Sequence, residues 1–272
     1  MAISDISLTA GMRNNLLALQ KTASQLSATQ DRLSSGKRVN SALDNPTNFF
    51  AAQSAMNRAS DLNDRKDGMS EAVQTIKAAD AGISAITALI QSAKGLASAA
   101  MATNDTLSQA TYNSQFEQIQ TQITTLASDS GYRGTNLLTD GTLSLEFSAK
   151  TGDATLTVNG FKADSATLGV TAAAAWAGST AAAASTLTQM DNALSTLRSK
   201  SSTLASNLSV VTTRQDFTTS MINTLQQGSD NLTLADMNQE GANMLMLQTR
   251  QSLGTTALSM SSQAAQSVLR LF

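Results

Sequence analysis

Residues Leu33–Pro46 read LSSGKRVNSALDNP. This short run holds one helix end and one helix start. Upstream of it, Met12, Leu16, Leu19, Ala23, Leu26, Gln30 and Leu33 recur at alternating steps of four and three. That spacing is the seam of a coiled-coil helix, with a polar interruption at Gln30. Gly36 follows the seam closely and can take the left-handed backbone conformation that ends helices. Asn45 offers a side-chain oxygen to the free amides of a new helix, and Pro46, which has no amide N–H, suits its first turn. The segment Lys37–Asp44 is then the connector between two helices.

Downstream, a second seam runs from Met69 through Val73, Ile76, Ile83 and Ile90, with polar Asp80 and Thr87 at two of its positions. Ile86, Leu89, Ala93 and Leu96 widen the apolar face. A third helix carries Phe116, Ile119, Ile123 and Leu126 and is expected to stop at Gly131, with Gly134 marking the break. The period then falls to two. Leu143, Leu145 and Phe147 alternate with polar residues, as do Leu156 and Val158, with Lys150–Asp153 between them. This is a β-hairpin pattern. The Ala-rich stretch Thr171–Ala184 is either loop or helix start, and its Trp176 is expected to anchor it to the helices.

The longest seam is Leu187, Met190, Leu194, Leu197, Ser201, Leu204, Leu208, Val211, Gln215, Thr218, Ile222 and Leu225. A helix of that extent spans roughly 60 Å at ~1.5 Å per residue; Gly228 is its expected end. The polar seam positions Gln30, Asp80, Ser201 and Gln215 either set register or oligomer state or, as is more common, are tolerated at a partly solvated face. The final segment carries two apolar lines. One is Leu247, Leu258, Ala265, Val268 and Phe272; its neighbour is Met246, Leu253, Ala257, Met260 and Ala264. Two adjacent lines make a face too wide for one partner helix, and small residues between them, Gly254 among them, permit close approach of other helices. Such a face calls for either the other terminus or another subunit.

Composition narrows the chemistry. Hydrophobic residues are 41% of the 272, aromatics only 4%, and there is a single proline. Leu, Ile, Ala and Met cores suit long helices better than sandwiches. Net charge is −2, which gives no basic excess to attract nucleic acid. Cysteine and histidine are both absent, which removes disulfides, thiol nucleophiles, Cys/His metal sites and imidazole acid–base catalysis. Asp140, Glu146 and Asp153 are the one mildly suggestive acidic set, placed where a hairpin leaves them solvated. No catalytic residue, cofactor or metal is expected. The N-terminus lacks the pattern of a cleavable signal peptide, and no apolar run is long enough to insert into a membrane.

Three places carry a family resemblance. The run Leu33–Asp44 is similar to the N-terminal motif of bacterial flagellin. The ending resembles the flagellin C-terminus, in Gln251-Ser252-Leu253-Gly254, Ala257-Leu258-Ser259 and Ser267-Val268-Leu269-Arg270-Leu271-Phe272. Gly131-Tyr132-Arg133-Gly134-Thr135-Asn136-Leu137-Leu138 resembles the turn between the helical rod and its β region. The resemblance implies a mainly α fold, a long antiparallel helical coiled-coil rod with a small β-hairpin region. It implies a terminal helical domain of residues 1–40 with 236–272, and a rod domain of 41–235 with the hairpin at about 140–175. Only about fifty residues separate Gly131 from Ala181, so large outer domains are expected to be missing.

The implied function is a structural subunit that self-assembles into the flagellar filament outside the cell. Its implied partners are further copies of itself, an export chaperone at the C-terminal helix, and hook-associated and cap proteins, after export through the flagellar type III apparatus. Leu16, Leu19, Leu26, Leu33, Leu247, Leu258, Val268 and Phe272 are the expected assembly residues. Arg38 and Asp44 are either a subunit-contact pair or solvated loop charges. Flagellins recognised by vertebrate innate receptors carry two arginines and a glutamate in the rod; here Ser92, Lys94 and Gly95 fall at those places, so weak recognition is implied. A hook–filament junction protein and a soluble coiled-coil binding module are the alternatives.

Overall fold

The structure is a computed structural model and describes residues 10–148, 154–171 and 175–269. Five helices and one hairpin follow in the order α1 (Ala10–Ser35), α2 (Pro46–Ala102), α3 (Thr106–Asp129), β1 (Thr142–Glu146), β2 (Thr155–Asn159), α4 (Thr180–Thr233) and α5 (Met237–Leu269). Contacts group the chain into two compact units whose boundaries fall at Asn57/Arg58 and Asn223/Thr224, inside the continuous helices α2 and α4. This is a partition by packing. The helices themselves break between Ser35 and Pro46 and between Thr233 and Met237.

The central unit, residues 58–223, holds one core shared by α2, α3, α4 and the hairpin. On α2 the buried line is Met69, Ala72, Ile76, Ala79, Ile83, Ile86, Ile90, Ala93, Ala97 and Ala100, an unbroken alternation of three and four. This corrects the expected seam. Asp80 and Thr87 do not lie on it; Ala79 and Ile86 do. The heptad line Met69, Ile76, Ile83 and Ile90 holds, but its companion line runs through Ala72, Ala79 and Ile86, one residue before the expected Val73, Asp80 and Thr87. On α4, Met190, Leu194, Leu197, Leu204, Val211, Thr218 and Ile222 are buried where the pattern placed them.

Polar residues at the seam edge tie α2 to α4. Asp80 accepts a hydrogen bond from Ser201 Oγ at 2.8 Å, and Gln215 Nε2 donates to Ser70 Oγ at 2.7 Å. Lys94 forms an ion pair with Asp191. From Lys94 back to Ser70 is 24 residues, and from Asp191 forward to Gln215 is also 24, so the two helices are antiparallel and in step. Ser201 and Gln215 thus take up the register role raised for them.

The hairpin pairs β1 with β2 antiparallel, Leu143 opposite Val158 and Leu145 opposite Leu156. Its tip, Lys150–Asp153, lies outside the described residues, as do 172–174 of the Ala-rich stretch. The chain enters the hairpin through the turn Tyr132–Thr135, where Arg133 and Gly134 both have positive φ and the Tyr132 and Thr135 amides donate to each other's carbonyls. Asn136 fixes this turn to the end of α3: its Nδ2 donates to the Ala127 and Ser128 carbonyls, and its Oδ1 accepts from Leu138 N–H. Gly82 of α2 passes beneath, and a Cβ there would overlap Ser130 Oγ and Leu138.

One residue of this unit lies outside the sequence reading. Gln109 is buried, donates to the Ala100 and Thr103 carbonyls, and accepts from Gly178 N–H at 2.7 Å. One amide thus satisfies three backbone groups at the α2–α3 turn and the Ala-rich segment. In the other unit, Gly228 does not end α4 as expected: the helix continues through it to Thr233. Glycine costs roughly 1 kcal/mol in a helix interior, and the end is instead fixed at Thr233, whose carbonyl accepts from Arg38 and Val39 N–H.

Trp176 is fully buried, its ring 5.0 Å from Phe116 and its Nε1 donating to Thr186 Oγ1. Removing it empties the largest buried volume in the core. Trp176→Ala is expected to lower unfolding free energy by about 3–5 kcal/mol, read from urea denaturation followed by circular dichroism.

Candidate assembly interface

The other unit contains α1, the connector, the first turns of α2, the end of α4 and α5. Its helix breaks are joined to each other. Gly36 ends α1 with φ of +68°, and its carbonyl accepts from Ala235 N–H at 3.0 Å. Thr233, the last residue of α4, accepts from both Arg38 N–H and Val39 N–H. Lys37 and Leu234 form an isolated antiparallel bridge. Asn45 caps α2 as expected, its Oδ1 accepting from Asn48 N–H at 3.0 Å. Asp236 caps α5 through Asn238 and Gln239.

The helices α1 and α5 pair antiparallel. Arg32 meets Glu240, and Leu19 meets Gly254, so thirteen residues back on α1 match fourteen forward on α5. A Cβ on Gly254 would come within 2.6 Å of Leu19 Cδ2, so the glycine lets the helices approach. The inward line of α1 is Met12, Leu19, Thr22, Leu26, Thr29 and Leu33. This corrects the predicted seam: Leu16, Ala23 and Gln30 are exposed, and Thr22 and Thr29 are buried in their place. Threonine reads as polar, but a hydroxyl bonded to its own helix behaves as a small apolar group. Thr22 Oγ1 donates to the Ala18 carbonyl at 2.9 Å.

On α5 the inward line is Glu240, Leu247, Gln251, Gly254, Leu258 and Ser261. Leu247 is 5% exposed and Leu258 half-buried. Leu19, Leu26, Leu33, Leu247 and Leu258 are therefore engaged within the chain. The side chain of Val268 and all of Phe272 lie outside the described residues. The outward line is Met246, Leu253 and Met260, seven residues apart and 51, 67 and 60% exposed. From Gln251 to Leu269 the sequence carries no charged residue. Thr249, Thr255, Thr256 and Ser267 donate to carbonyls of their own helix. Arg250 stands between Met246 and Leu253; beyond it the outward face of α5 is uncharged, and its threonine hydroxyls are bonded to their own helix.

Glu240 is the buried charge of this unit. It sits in the first turn of α5, where the helix amides favour a negative group, and Arg32 Nη1 lies 3.4 Å from its Oε1. The structure does not join Arg38 to Asp44. Asp44 Oδ2 accepts from Ser41 N–H, Asn40 N–H and Ser41 Oγ, while Arg38 forms no side-chain ion pair among the described residues. The bonds from Ser41 and then Asn40 hold the Asp44 carboxyl below the usual carboxylate range. They fold the connector around Asp44 and leave Leu43 almost fully exposed.

In the central unit, Ser92 and Gly95 are exposed on α2, and Lys94 is engaged with Asp191. Of the acidic trio, Glu146 pairs with Arg65 at 2.9 Å, Asp140 is exposed in a positive-φ turn and Asp153 lies outside the described residues. Among the described residues no group of acidic side chains is arranged to hold a metal ion, and no helix is long and apolar enough to cross a membrane.

Long antiparallel helices with an outward apolar stripe define a structural, assembly-competent protein. The family described as bacterial flagellin N-terminal helical region matches residues 6–142. Flagellins FljM and FljK of Caulobacter vibrioides are each 33% identical over the full length of both chains, and a flagellin of Brucella melitensis is 28% identical over 94% of this chain and 96% of its own. A crystal structure of Bacillus cereus flagellin, 20% identical, covers 57% of this chain and 88% of its own with a TM-score of 0.46. The chain belongs to the bacterial flagellin family, and it is a short member, a structural subunit of the flagellar filament.

Because the Asp44 carboxyl has a lowered pKa in the folded loop, its contribution is complete above the unfolded value of about 3.9 and is lost as pH falls through the lower folded value. The Asn40 and Ser41 amide resonances are expected to move together in that acid window. In Asp44→Asn the transition should vanish, which NMR titration of the monomer would show.

Proposed function

We propose that this chain builds the filament by burying the outward face of α5 against further copies. The observation that carries the reading is the Met246–Leu253–Met260 line, exposed on a helix whose other side is already paired with α1. Such a face gains apolar burial at ~25 cal/mol per Å² on docking, with Arg250 as the charged residue beside it. Residues 1–40 and 236–272 form the filament-lining domain in this proposal, and residues 41–235 the surrounding rod. The contacts are head-to-tail and non-closing, which yields a helical polymer instead of a ring.

The finer partners follow from the same face. Before assembly it needs cover, and an export chaperone on α5 supplies that cover during passage through the type III apparatus. Hook-associated and cap proteins meet the two ends of the polymer. The site residues also separate into roles. Leu19, Leu26, Leu33, Leu247 and Leu258 hold α1 to α5 and so shape the face; Leu16, at the edge of the pair, reaches outward. Arg38 and Leu43 present the connector to a neighbour while Asp44 keeps the connector folded. Val268 and Phe272, which fall outside the described side chains, keep the assembly role that the family resemblance implies for them.

Seeded growth tests the assembly reading. Purified monomer added to short filament seeds should elongate them in electron micrographs. Leu253→Asp should abolish elongation with the helical circular dichroism unchanged, because Leu253 is not part of the α1–α5 seam. Normal filaments from this variant would refute the assigned face. A second expectation concerns the segment at Ser92, Lys94 and Gly95. Lacking bidentate guanidinium contacts, the purified monomer should leave an innate-receptor reporter near background; full activation would overturn that reading.

A further inference from the structure

The chain has eleven methionines and no cysteine, so the thioether is its one readily oxidised sulfur. The methionines divide by burial. Met12, Met69 and Met190 are buried in the two cores. Met246 and Met260 stand out from α5 on either side of Leu253, more than half exposed. Methionine and leucine are nearly interchangeable as apolar surface, but only methionine can be converted to a polar group in one step.

We infer that Met246 and Met260 form an oxidation site on the assembly face, at which a peroxide blocks addition of the subunit to the filament. The inference rests on the docking role given above to the outward face of α5. In the reaction the sulfur lone pair attacks one peroxide oxygen and the O–O bond breaks. The thioether becomes a sulfoxide, losing two electrons, and the other oxygen leaves as water. The product carries a strong acceptor at the centre of a face that must be dried. Around Met260 no charged donor meets it: residues 251–269 have no charged side chain, and Thr256 already gives its hydroxyl proton to its own helix; Met246 has Arg250 one turn away, so the block falls chiefly on Met260. Burying an unmet acceptor opposes docking. In the assembled polymer the same sulfurs are covered, so the block falls on free subunits and spares the filament. A methionine sulfoxide reductase reverses it.

The test uses the whole chain, hydrogen peroxide and filament seeds. Peptide mass spectrometry of treated monomer should find sulfoxide at Met246 and Met260 and little at Met69 or Met190. The same treatment of filaments should modify Met246 and Met260 at least about tenfold more slowly, as expected for sulfur removed from solvent. Elongation of seeds by treated monomer should fall at least about tenfold and return after incubation with the reductase. Each variant is compared with its own untreated sample. Met246→Leu combined with Met260→Leu should lose the peroxide effect. Met56→Leu, Met101→Leu and Met237→Leu together should keep it. Equal modification in monomer and filament, or undiminished elongation by monomer shown to carry both sulfoxides, would overturn the inference. Failure of untreated wild-type monomer to extend seeds would strike the assembly reading itself, and so is distinguishable from failure of the oxidation site.

Discussion

Close approach of antiparallel helices along lines of small residues is the interaction on which this molecule depends. In the central unit the line on α2 is built mainly of isoleucines and alanines, with five alanines among its ten positions. At the termini Gly254 admits Leu19, and two threonines replace larger residues on α1. Small contact residues bring backbones together and raise the number of dispersion contacts per residue. With few aromatic residues, the chain builds its core from many such contacts, with Trp176 and Phe116 as the main bulky insertion.

The second constraint is how hydroxyls are handled. Many Ser and Thr side chains donate to the carbonyl one turn back in their own helix, from Thr22 on α1 to Thr256 on α5. A helix that satisfies its own hydroxyls can exchange water for a neighbouring helix without losing hydrogen bonds. The polar composition and the apolar behaviour of α5 are thereby compatible. This is also why a face rich in Ser, Thr and Gln can serve assembly.

Much of this was legible from the chain. Gly36 and the Asn45–Pro46 pair mark the first helix break because backbone chemistry at single residues dictates it. The α4 seam was readable over its whole length because its Leu, Met, Val and Ile residues keep strict spacing. The period-two hairpin was equally plain. The seam misplacements share one form. On α1 and α2 one heptad line was placed correctly and its companion line one residue too far along, at Ala23, Gln30, Asp80 and Thr87 instead of Thr22, Thr29, Ala79 and Ile86. Gly228 failed as a terminator because distant packing decides where α4 ends. Of the assembly residues, periodicity located the two apolar lines on α5 but could not say which line α1 would take. Only the packed chain separates Leu247, spent on α1, from Leu253, left outward. Gln109 and Glu240 carried no readable signal, since their roles come from backbone groups and a partner distant in sequence.

The stitch between Gly36 and Ala235 joins points 199 residues apart. Closing so long a loop in an unstructured chain is entropically costly and slow. The helices between Arg58 and Asn223 make contacts over shorter separations, and once they pack, the effective loop shrinks to the terminal segments alone. The order of folding is therefore inside out: the middle of the chain closes first, and the two ends find each other last. A subunit whose ends are the last to settle reaches its neighbours with those ends still free to choose a partner.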